Sequence, residues 1–255
     1  MADRQFFTRA ELAGFERDGF VVVRGLFDAP SIAEIAAWAE DIQGRPETAG
    51  KWMKYFDDSL TTPGRRILNR VENFCPYHDG FDGLMRRGEL PARIAELFGE
   101  AAVLFKEKIN FKLPGGGGFE AHQDVQAGWD TYAALHITAL ISVDAATPAN
   151  GCLEVAAGQH RRGLIGESWR PMEGDELDGV EFHALPTEPG DAVFFDSFTP
   201  HGSQPNLTDT ARRVLYITYN KACEGDHRAR YYADKRESFP PDIDRDPHKD
   251  YQFRV

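Results

Sequence analysis

The sequence predicts a mainly β core with flanking helices. Polar residues recur at every second position from Lys106 to Lys112, with Phe105, Ile109 and Phe111 on the opposite face, as in a strand with one buried face. Apolar runs at 136–143, 192–195 and 214–219 have the length and composition of further strands. The clear helical periodicities all lie within the first hundred residues, so these helices are expected to pack on the outside of a sheet.

The N-terminal elements carry recognisable start and stop signals. Thr8 and Glu11 form a capping-box pattern that opens a helix running through Phe15, and Gly19 ends it. A short β-branched run, Phe20–Val23, follows as a strand. The next predicted helices are 31–43, with apolar residues Ile32, Ile35, Ala36 and Trp38 on one side, and 81–98, interrupted near Gly88 and Pro91.

Length and composition favour one domain over residues 1–255. Within it we assign 1–100 to a helical scaffold with a substrate-recognition region, 101–222 to the β core and 223–255 to a C-terminal extension. The extension has too many charges and prolines for a core strand. It either wraps around the core and lines a pocket or lies on the surface.

Charge and composition exclude several classes of partner. The formal net charge of −12 argues against nucleic acid or an anionic membrane as the main partner. The segment from Met1 to Arg9 lacks the apolar stretch of a signal peptide, and no run approaches the length of a membrane span. The three scattered cysteines form neither a zinc motif nor a disulfide framework, so we expect a cytoplasmic protein of undetermined oligomeric state.

A metal-binding pattern follows the four glycines at 115–118. These glycines lead toward a strand and lack the GK[ST] and helix of a phosphate-binding loop. His122 and Asp124 are two residues apart, so an extended chain places both side chains on one face, about 6 to 7 Å apart at Cα. His201, in a turn after a later apolar run, supplies a third ligand. Two imidazoles and one carboxylate form the facial triad of non-haem Fe(II) oxygenases.

Arg212 begins the strand that follows His201. Its guanidinium is suited to clamp a carboxylate through two parallel hydrogen bonds. Arg213 points to the opposite face of the strand and is the alternative clamp. The order HxD, distal His, Arg is that of oxygenases that use 2-oxoglutarate as cosubstrate.

Several segments resemble the phytanoyl-CoA dioxygenase (PhyH) family. They are FKEKINFKLP (105–114), HQD (122–124), DAATPANGCL (144–153), PHGS (200–203) and the opening LAGFERDGFVVVRGLF (12–27). The resemblance covers most of the chain. It implies a double-stranded β-helix, or jelly roll, similar to cupins, that holds Fe(II) at one mouth and uses 2-oxoglutarate and O2.

The resemblance also suggests where the cosubstrate and the substrate bind. It favours inward-facing Asn110 and Lys112 over the alternative of an edge strand whose lysines face water. With Arg212, the predicted cosubstrate contacts are Lys112, Asn110, Ser203, Thr138 and His136. The aromatic and basic segment 51–74 is either a recognition surface or a solvated loop, and the predicted substrate contacts are Lys54, Tyr55, Arg70, Asn73 and, beyond the triad, Trp129.

The predicted reaction is hydroxylation of an unactivated C–H bond of a small polar metabolite, such as an amino acid-like or aminophosphonate compound, with release of succinate and CO2. Asp124 decides the reaction type, because related halogenases lack a carboxylate at this position. Two alternatives remain open: a cupin-like metal enzyme that does not use 2-oxoglutarate, and a non-catalytic jelly roll that binds a small molecule.

Overall fold

The computed structural model describes residues 5–251 as two antiparallel β-sheets, with the N-terminal helices packed on the outer face of the larger sheet. Residues Met1 to Arg4 of the segment screened for a signal peptide, and 252–255 of the C-terminal extension, lie outside the described residues. The strands are β1 (Phe20–Val23), β2 (Met53–Asp58), β3 (Arg66–Glu72), β4 (Ala102–Lys112), β5 (Phe119–His122), β6 (His136–Ser142), β7 (Leu153–Val155), β8 (His183–Leu185), β9 (Ala192–Asp196), β10 (His201–Ser203) and β11 (Arg212–Lys221). The helices are α1 (Arg9–Asp18), α2 (Ala29–Gly44), α3 (Asp79–Arg86), α4 (Glu89–Phe98) and α5 (Arg228–Ser238).

The two sheets form the predicted jelly roll. The larger sheet has the order β1-β9-β6-β11-β4-β3-β2, and the smaller has the order β5-β10-β7-β8. Apolar side chains from both sheets pack together in a core that includes Leu140, Leu153, Val193 and Val214. Non-consecutive strands are neighbours in both sheets, so residues distant in sequence meet between them.

The other face of the larger sheet packs against the N-terminal helices. Ile109, Ile141 and Leu215 from the sheet lie in one buried cluster with helix residues such as Ile35 and Ile94. This is the scaffold position expected for the helices. The alternation along β4, β6 and β11 thus separates a helix-facing apolar side from a side that faces the smaller sheet.

The helix signals near the N-terminus are confirmed. Thr8 and Glu11 form the capping box of α1, and Gly19 ends the helix with φ of 84°. The second helix spans Ala29–Gly44, slightly longer than expected. The interrupted pattern at 81–98 forms two helices, α3 and α4, separated at Gly88.

The aromatic and basic segment 51–74 is not a solvated loop. It forms β2 and β3, which extend the larger sheet beyond β4. Residues Arg70 and Glu72 of β3 pair with Asn110 and Lys108 of β4, so this hairpin belongs to the wall of the sheet. Three strands, β1, β2 and β3, therefore lie in the region assigned to a helical scaffold. The strand β1 was predicted, whereas the hydrophobic pattern did not predict β2 and β3.

A β-bulge in β4 changes the direction of one side chain. Thr218 of β11 is opposite Lys106, but the next residue, Tyr219, is opposite Leu104, which leaves Phe105 as the extra residue. Phe105 therefore packs against His136, with ring centroids 4.4 Å apart, rather than against the outer helices with Ile109. The expectation that Phe105 shares a face with Ile109 and Phe111 was wrong because alternation does not reveal a bulge.

The C-terminal extension forms α5 and packs beside β4. Arg228 pairs with Glu107 of β4, which is completely buried, and the Tyr232 hydroxyl also bonds to Glu107. The extension therefore wraps around the core, the first of the two expected arrangements. Within residues 5–251, no helix is both long and apolar enough to cross a membrane.

Candidate active site

The three predicted metal ligands lie together at one end of the antiparallel strand pair β5 and β10. His122 ends β5, His201 begins β10, and the two are directly opposite partners in the antiparallel pair. Asp124 starts a 3₁₀ turn just after β5. The ligand atoms of all three residues lie within 4.8 Å of one another, close enough for a single ion.

Both imidazoles are oriented by their backbone surroundings. The Nδ1 atom of His122 lies 2.7 Å from the carbonyl oxygen of Glu120, and that of His201 lies 2.9 Å from the carbonyl of Thr199. Donation from Nδ1 leaves each Nε2 with a free lone pair, the form that binds a metal. Burial also lowers the pKa of His122, to about 3, and the pKa of His201, which keeps both rings neutral.

Asp124 is anionic and held in place. Burial opposes its ionisation, but His201, Lys108 and His122 together bring the pKa of Asp124 below its usual value. The Thr138 hydroxyl lies 3.4 Å from Asp124 Oδ2 and 2.8 Å from the Thr218 hydroxyl. Thr138, predicted as a cosubstrate contact, therefore lies where it orients the carboxylate ligand. Two neutral imidazoles and a carboxylate fit a divalent iron ion.

Arg212 is a buried cation without a partner among the described residues. Only 1 % of its surface is exposed, and its Nε and Nη2 atoms are buried without a hydrogen-bond acceptor in the described part of the chain. A guanidinium with unsatisfied donors in such a place requires an anion. The distal carboxylate of 2-oxoglutarate fits that requirement.

Arg213 has the opposite environment. Its guanidinium donates two hydrogen bonds to Asp144, from Nε and Nη2, both 2.8 Å long. It also lies 3.3 Å from the exposed carboxylate of Glu40. Of the two adjacent arginines, only Arg212 faces the interior of the jelly roll.

Lys112 and Ser203 lie near Arg212. The Lys112 ammonium donates to the Ser203 hydroxyl at 2.7 Å, and it also bonds to the carbonyls of Gln204 and Gly151. These three acceptors use all of its protons, so Lys112 fixes Ser203 and contributes charge instead of offering a free donor. Burial, with Arg212 as the next cause, lowers the pKa of Lys112 to about 7.

The other two predicted cosubstrate contacts are buried but lie in different surroundings. Asn110 faces inward on β4, and its Oδ1 has no partner within the described chain. His136 packs against Phe105 and Trp129, and burial lowers its pKa to about 3. This aromatic cluster places His136 on the side of the triad away from Arg212.

A cavity of about 420 Å³ opens beside the triad. His122 and Asp124 form part of its floor, and Trp129 forms part of its wall, as predicted. Four basic side chains also line it: Arg70, Lys106, Lys108 and Lys235. Neither Arg212 nor Lys112 belongs to this wall, so the cavity is separate from the candidate cosubstrate site.

The predicted substrate residues divide into two groups. Arg70 and Trp129 line the cavity, and Tyr55 lines an adjoining cavity that shares Arg70 and His122. The prediction that Lys54 contacts the substrate was wrong, because its ammonium donates hydrogen bonds to the carbonyls of Gln43 and Arg45 on the helical side of β2.

The prediction that Asn73 contacts the substrate was also wrong, because Asn73 follows the end of β3. Its side-chain oxygen accepts a hydrogen bond from Arg228 at 3.0 Å. It thus stabilises the attachment of α5 and is absent from the cavity wall.

Most of the wall was not predicted, including the charged residues Glu72, Lys106 and Lys235. Alternation on β3 was a usable signal for Glu72, since it shares a face with Arg70. Lys235 gave no signal, because α5 is distant from β3 in the sequence.

Comparisons with known proteins identify a family and similar enzymes. The model of the phytanoyl-CoA dioxygenase (PhyH) family matches residues 15–214. A 2-aminoethylphosphonate dioxygenase from an uncultured bacterium is 41 % identical over 96 % of this chain and 94 % of its own. A methylphosphonate hydroxylase from Gimesia maris is 40 % identical over 91 % of this chain and 88 % of its own.

A similar solved structure is that of EctD from S. alaskensis with 2-oxoglutarate and 5-hydroxyectoine. Its TM-score is 0.73 at 21 % identity, and the match covers 88 % of this chain and 79 % of that one. This likeness supports the jelly-roll fold. The chain belongs to the phytanoyl-CoA dioxygenase (PhyH) family, and the predicted enzyme class, an iron- and 2-oxoglutarate-dependent dioxygenase, is confirmed.

Proposed function

We propose that the protein hydroxylates a C–H bond of a small organophosphonate. The reaction consumes O2 and 2-oxoglutarate and yields the hydroxylated phosphonate, succinate and CO2, so that one oxygen atom enters each organic product. The observation that carries the substrate class is the cavity wall, where four basic side chains lie beside the metal-binding triad. The two relatives at about 40 % identity, named for 2-aminoethylphosphonate and methylphosphonate, support the same class.

The chain's own residues have distinct tasks in this reaction. His122, Asp124 and His201 would hold Fe(II), and their backbone bonds keep each imidazole in the metal-binding tautomer. Arg212, with Ser203 beside it, would hold the distal carboxylate of 2-oxoglutarate. Bound iron and 2-oxoglutarate supply the oxidising chemistry.

The cavity positions the substrate and limits access of water. Its basic residues would hold the phosphonate, while Trp129 and Tyr231 cover the space above the triad. A fixed head group aims one C–H bond at the metal, which is how binding energy is converted into rate and site selectivity. The cavity volume of about 420 Å³ lies in the lower part of the range of ligand pockets and leaves ample room for a small phosphonate.

Two measurements test the proposal in sequence. Fe(II) and then 2-oxoglutarate are added anaerobically to the metal-free protein, and the weak visible charge-transfer band of the chelate is recorded. We expect the band in the wild type and its loss in His122→Ala. Succinate release is then measured in air with 2-aminoethylphosphonate and with methylphosphonate, and ³¹P NMR identifies the hydroxylated product.

A phosphonate that accelerates succinate release and gains one oxygen atom supports the proposal. The proposal fails if both phosphonates leave succinate release at its substrate-free rate in protein that shows the charge-transfer band.

A further inference from the structure

One group of charged side chains in the cavity has an unusual composition. Glu72 is completely buried, and it accepts hydrogen bonds from Arg70 Nε at 2.7 Å and from Lys235 Nζ at 2.8 Å. The Lys106 ammonium lies 4.0 Å from the same carboxylate, within ion-pair range but beyond a hydrogen bond. Three basic side chains therefore face one carboxylate, so the formal charge of this group of four is positive.

Two donors at this cluster have no acceptor in the described chain. The Lys106 ammonium makes no hydrogen bond within residues 5–251, and its Nζ lies 5.1 Å from the centre of the Trp129 ring. The Trp129 indole N–H is buried, with 3 % of the residue exposed, and it also lacks a partner among these residues. Both side chains line the cavity beside the triad, so an anion in the cavity would satisfy both.

We infer that Arg70, Lys106, Trp129 and Lys235, gathered around Glu72, form the subsite for the phosphonate head group and select a doubly charged tetrahedral anion. The inference rests on the proposed function and assigns the residues that determine its specificity. A phosphonate has three oxygen atoms, and the loss of its second proton near neutral pH gives it two negative charges. It therefore matches both the excess charge and the free donors, whereas a carboxylate or sulfonate carries one charge.

The C-terminal helix α5 supplies Lys235, the residue of this subsite that is most distant from the others in sequence. Lys235 lies four residues after Tyr231, so both side chains share the face of α5 that covers the cavity. Arg228 fastens the start of the helix to Glu107 of β4. Glu72 thus holds Lys235 in place through two contacts of 2.8 and 2.9 Å while leaving Lys106 free for the ligand.

The test compares three compounds that share an aminoethyl arm and differ in the head group. They are 2-aminoethylphosphonate, 2-aminoethanesulfonate and 3-aminopropanoate. Binding is measured by anaerobic calorimetry on the enzyme loaded with Fe(II) and saturating 2-oxoglutarate. We expect the wild type to bind the phosphonate at least tenfold more tightly than either singly charged compound.

Variants then test which residues bind the phosphonate head group. In Lys106→Met and Lys235→Met the affinity for the phosphonate should fall at least tenfold, while the affinities for the sulfonate and for 2-oxoglutarate change less than threefold. Lys54→Met is the matched control, because that ammonium lies on the other side of β2, and it should leave all three affinities unchanged. Thermal melting identifies any variant that fails to fold, and Lys106→Met is the safer of the two because Glu72 keeps its hydrogen-bonded partners.

The possible failures are distinguishable. Phosphonate binding that depends on Lys106, without any succinate release, overturns the proposed reaction and supports the subsite. Succinate release with phosphonate affinity unchanged in both lysine variants supports the reaction and overturns the subsite. Equal affinity for all three head groups overturns the selection of a doubly charged anion.

Discussion

Replacing Arg212 with Met should make the metal-free protein more stable and the cosubstrate bind more weakly. The guanidinium is 1 % exposed, and two of its nitrogen atoms have no acceptor within residues 5–251. Burial also lowers the pKa of Arg212, which reflects the cost of the charge. Methionine has a similar length and no polar atom, so it fills the space without that cost.

The two effects have opposite signs and can be estimated. A buried group with unsatisfied hydrogen bonds costs about 1–3 kcal/mol. Since 1 kcal/mol corresponds to about 2–4 °C in a protein of this size, we expect the melting temperature of the metal-free protein to rise by about 2–12 °C. Loss of the partner of a buried carboxylate costs about 2–5 kcal/mol, so the Kd of 2-oxoglutarate should increase about 30- to 4,000-fold.

Circular dichroism melting and anaerobic calorimetry with Fe(II) measure the two quantities. Arg213→Met is the matched control, because Arg213 is paired with Asp144 through two bonds of 2.8 Å. This variant should melt at a lower temperature and bind 2-oxoglutarate as the wild type does. An Arg212→Met protein that melts at or below the wild-type temperature would show that the buried guanidinium is already satisfied, and the reasoning would be refuted.

Three further predictions concern the scaffold and the cosubstrate site. Arg228→Met leaves the completely buried Glu107 without its cation, so urea titration should show a loss of about 3–5 kcal/mol in unfolding free energy; a loss below about 1 kcal/mol would contradict this. Gly118→Ala would place Cβ 2.5 Å from a backbone carbonyl oxygen, so the same titration should show a loss of about 1–3 kcal/mol in unfolding free energy. In the control Gly117→Ala, Cβ meets no atom within 4 Å, and the unfolding free energy should change by less than about 0.5 kcal/mol. Burial lowers the pKa of Lys112 to about 7, so its charge is present below that pH and lost above it. Calorimetry should therefore show that the affinity for 2-oxoglutarate falls as the pH rises through about 7. The Lys112→Met variant should lack this pH dependence.

The metal-binding triad was predictable because its signals are local and chemically specific. His122 and Asp124 are two residues apart, and the strand before them brings both side chains to one place. His201 begins a short strand after an apolar run, a pattern visible in the sequence. Strand alternation likewise separated Arg212, which faces inward, from Arg213, which faces Asp144.

The cavity wall was less predictable because its residues come from distant parts of the chain. Lys235 and Glu72 are 163 positions apart, and neither residue has a neighbour that indicates the contact. Lys54 was assigned to the wrong side because the facing of a strand depends on its partner, and β2 pairs only with β3 in the described sheet. Phe105 was misplaced for a related reason, since the bulge is specified by the register with β11.

The strand β4 explains how one small site can bind two anions, each at its own position. Its inward polar side chains run from Lys106, in the cavity wall, to Lys112, beside Ser203. At about 3.4 Å per residue, these two lysines are about 20 Å apart along the strand. The middle lysine, Lys108, lies in the cavity wall together with His122 and Asp124.

One cation group on the far side of the triad would therefore receive the cosubstrate, and another, around Glu72, would receive the substrate. Had both groups been placed together, either anion could occupy either position, since each is attracted by the same kind of charge. Separation along β4, with the metal ligands between the groups, gives each anion its own place.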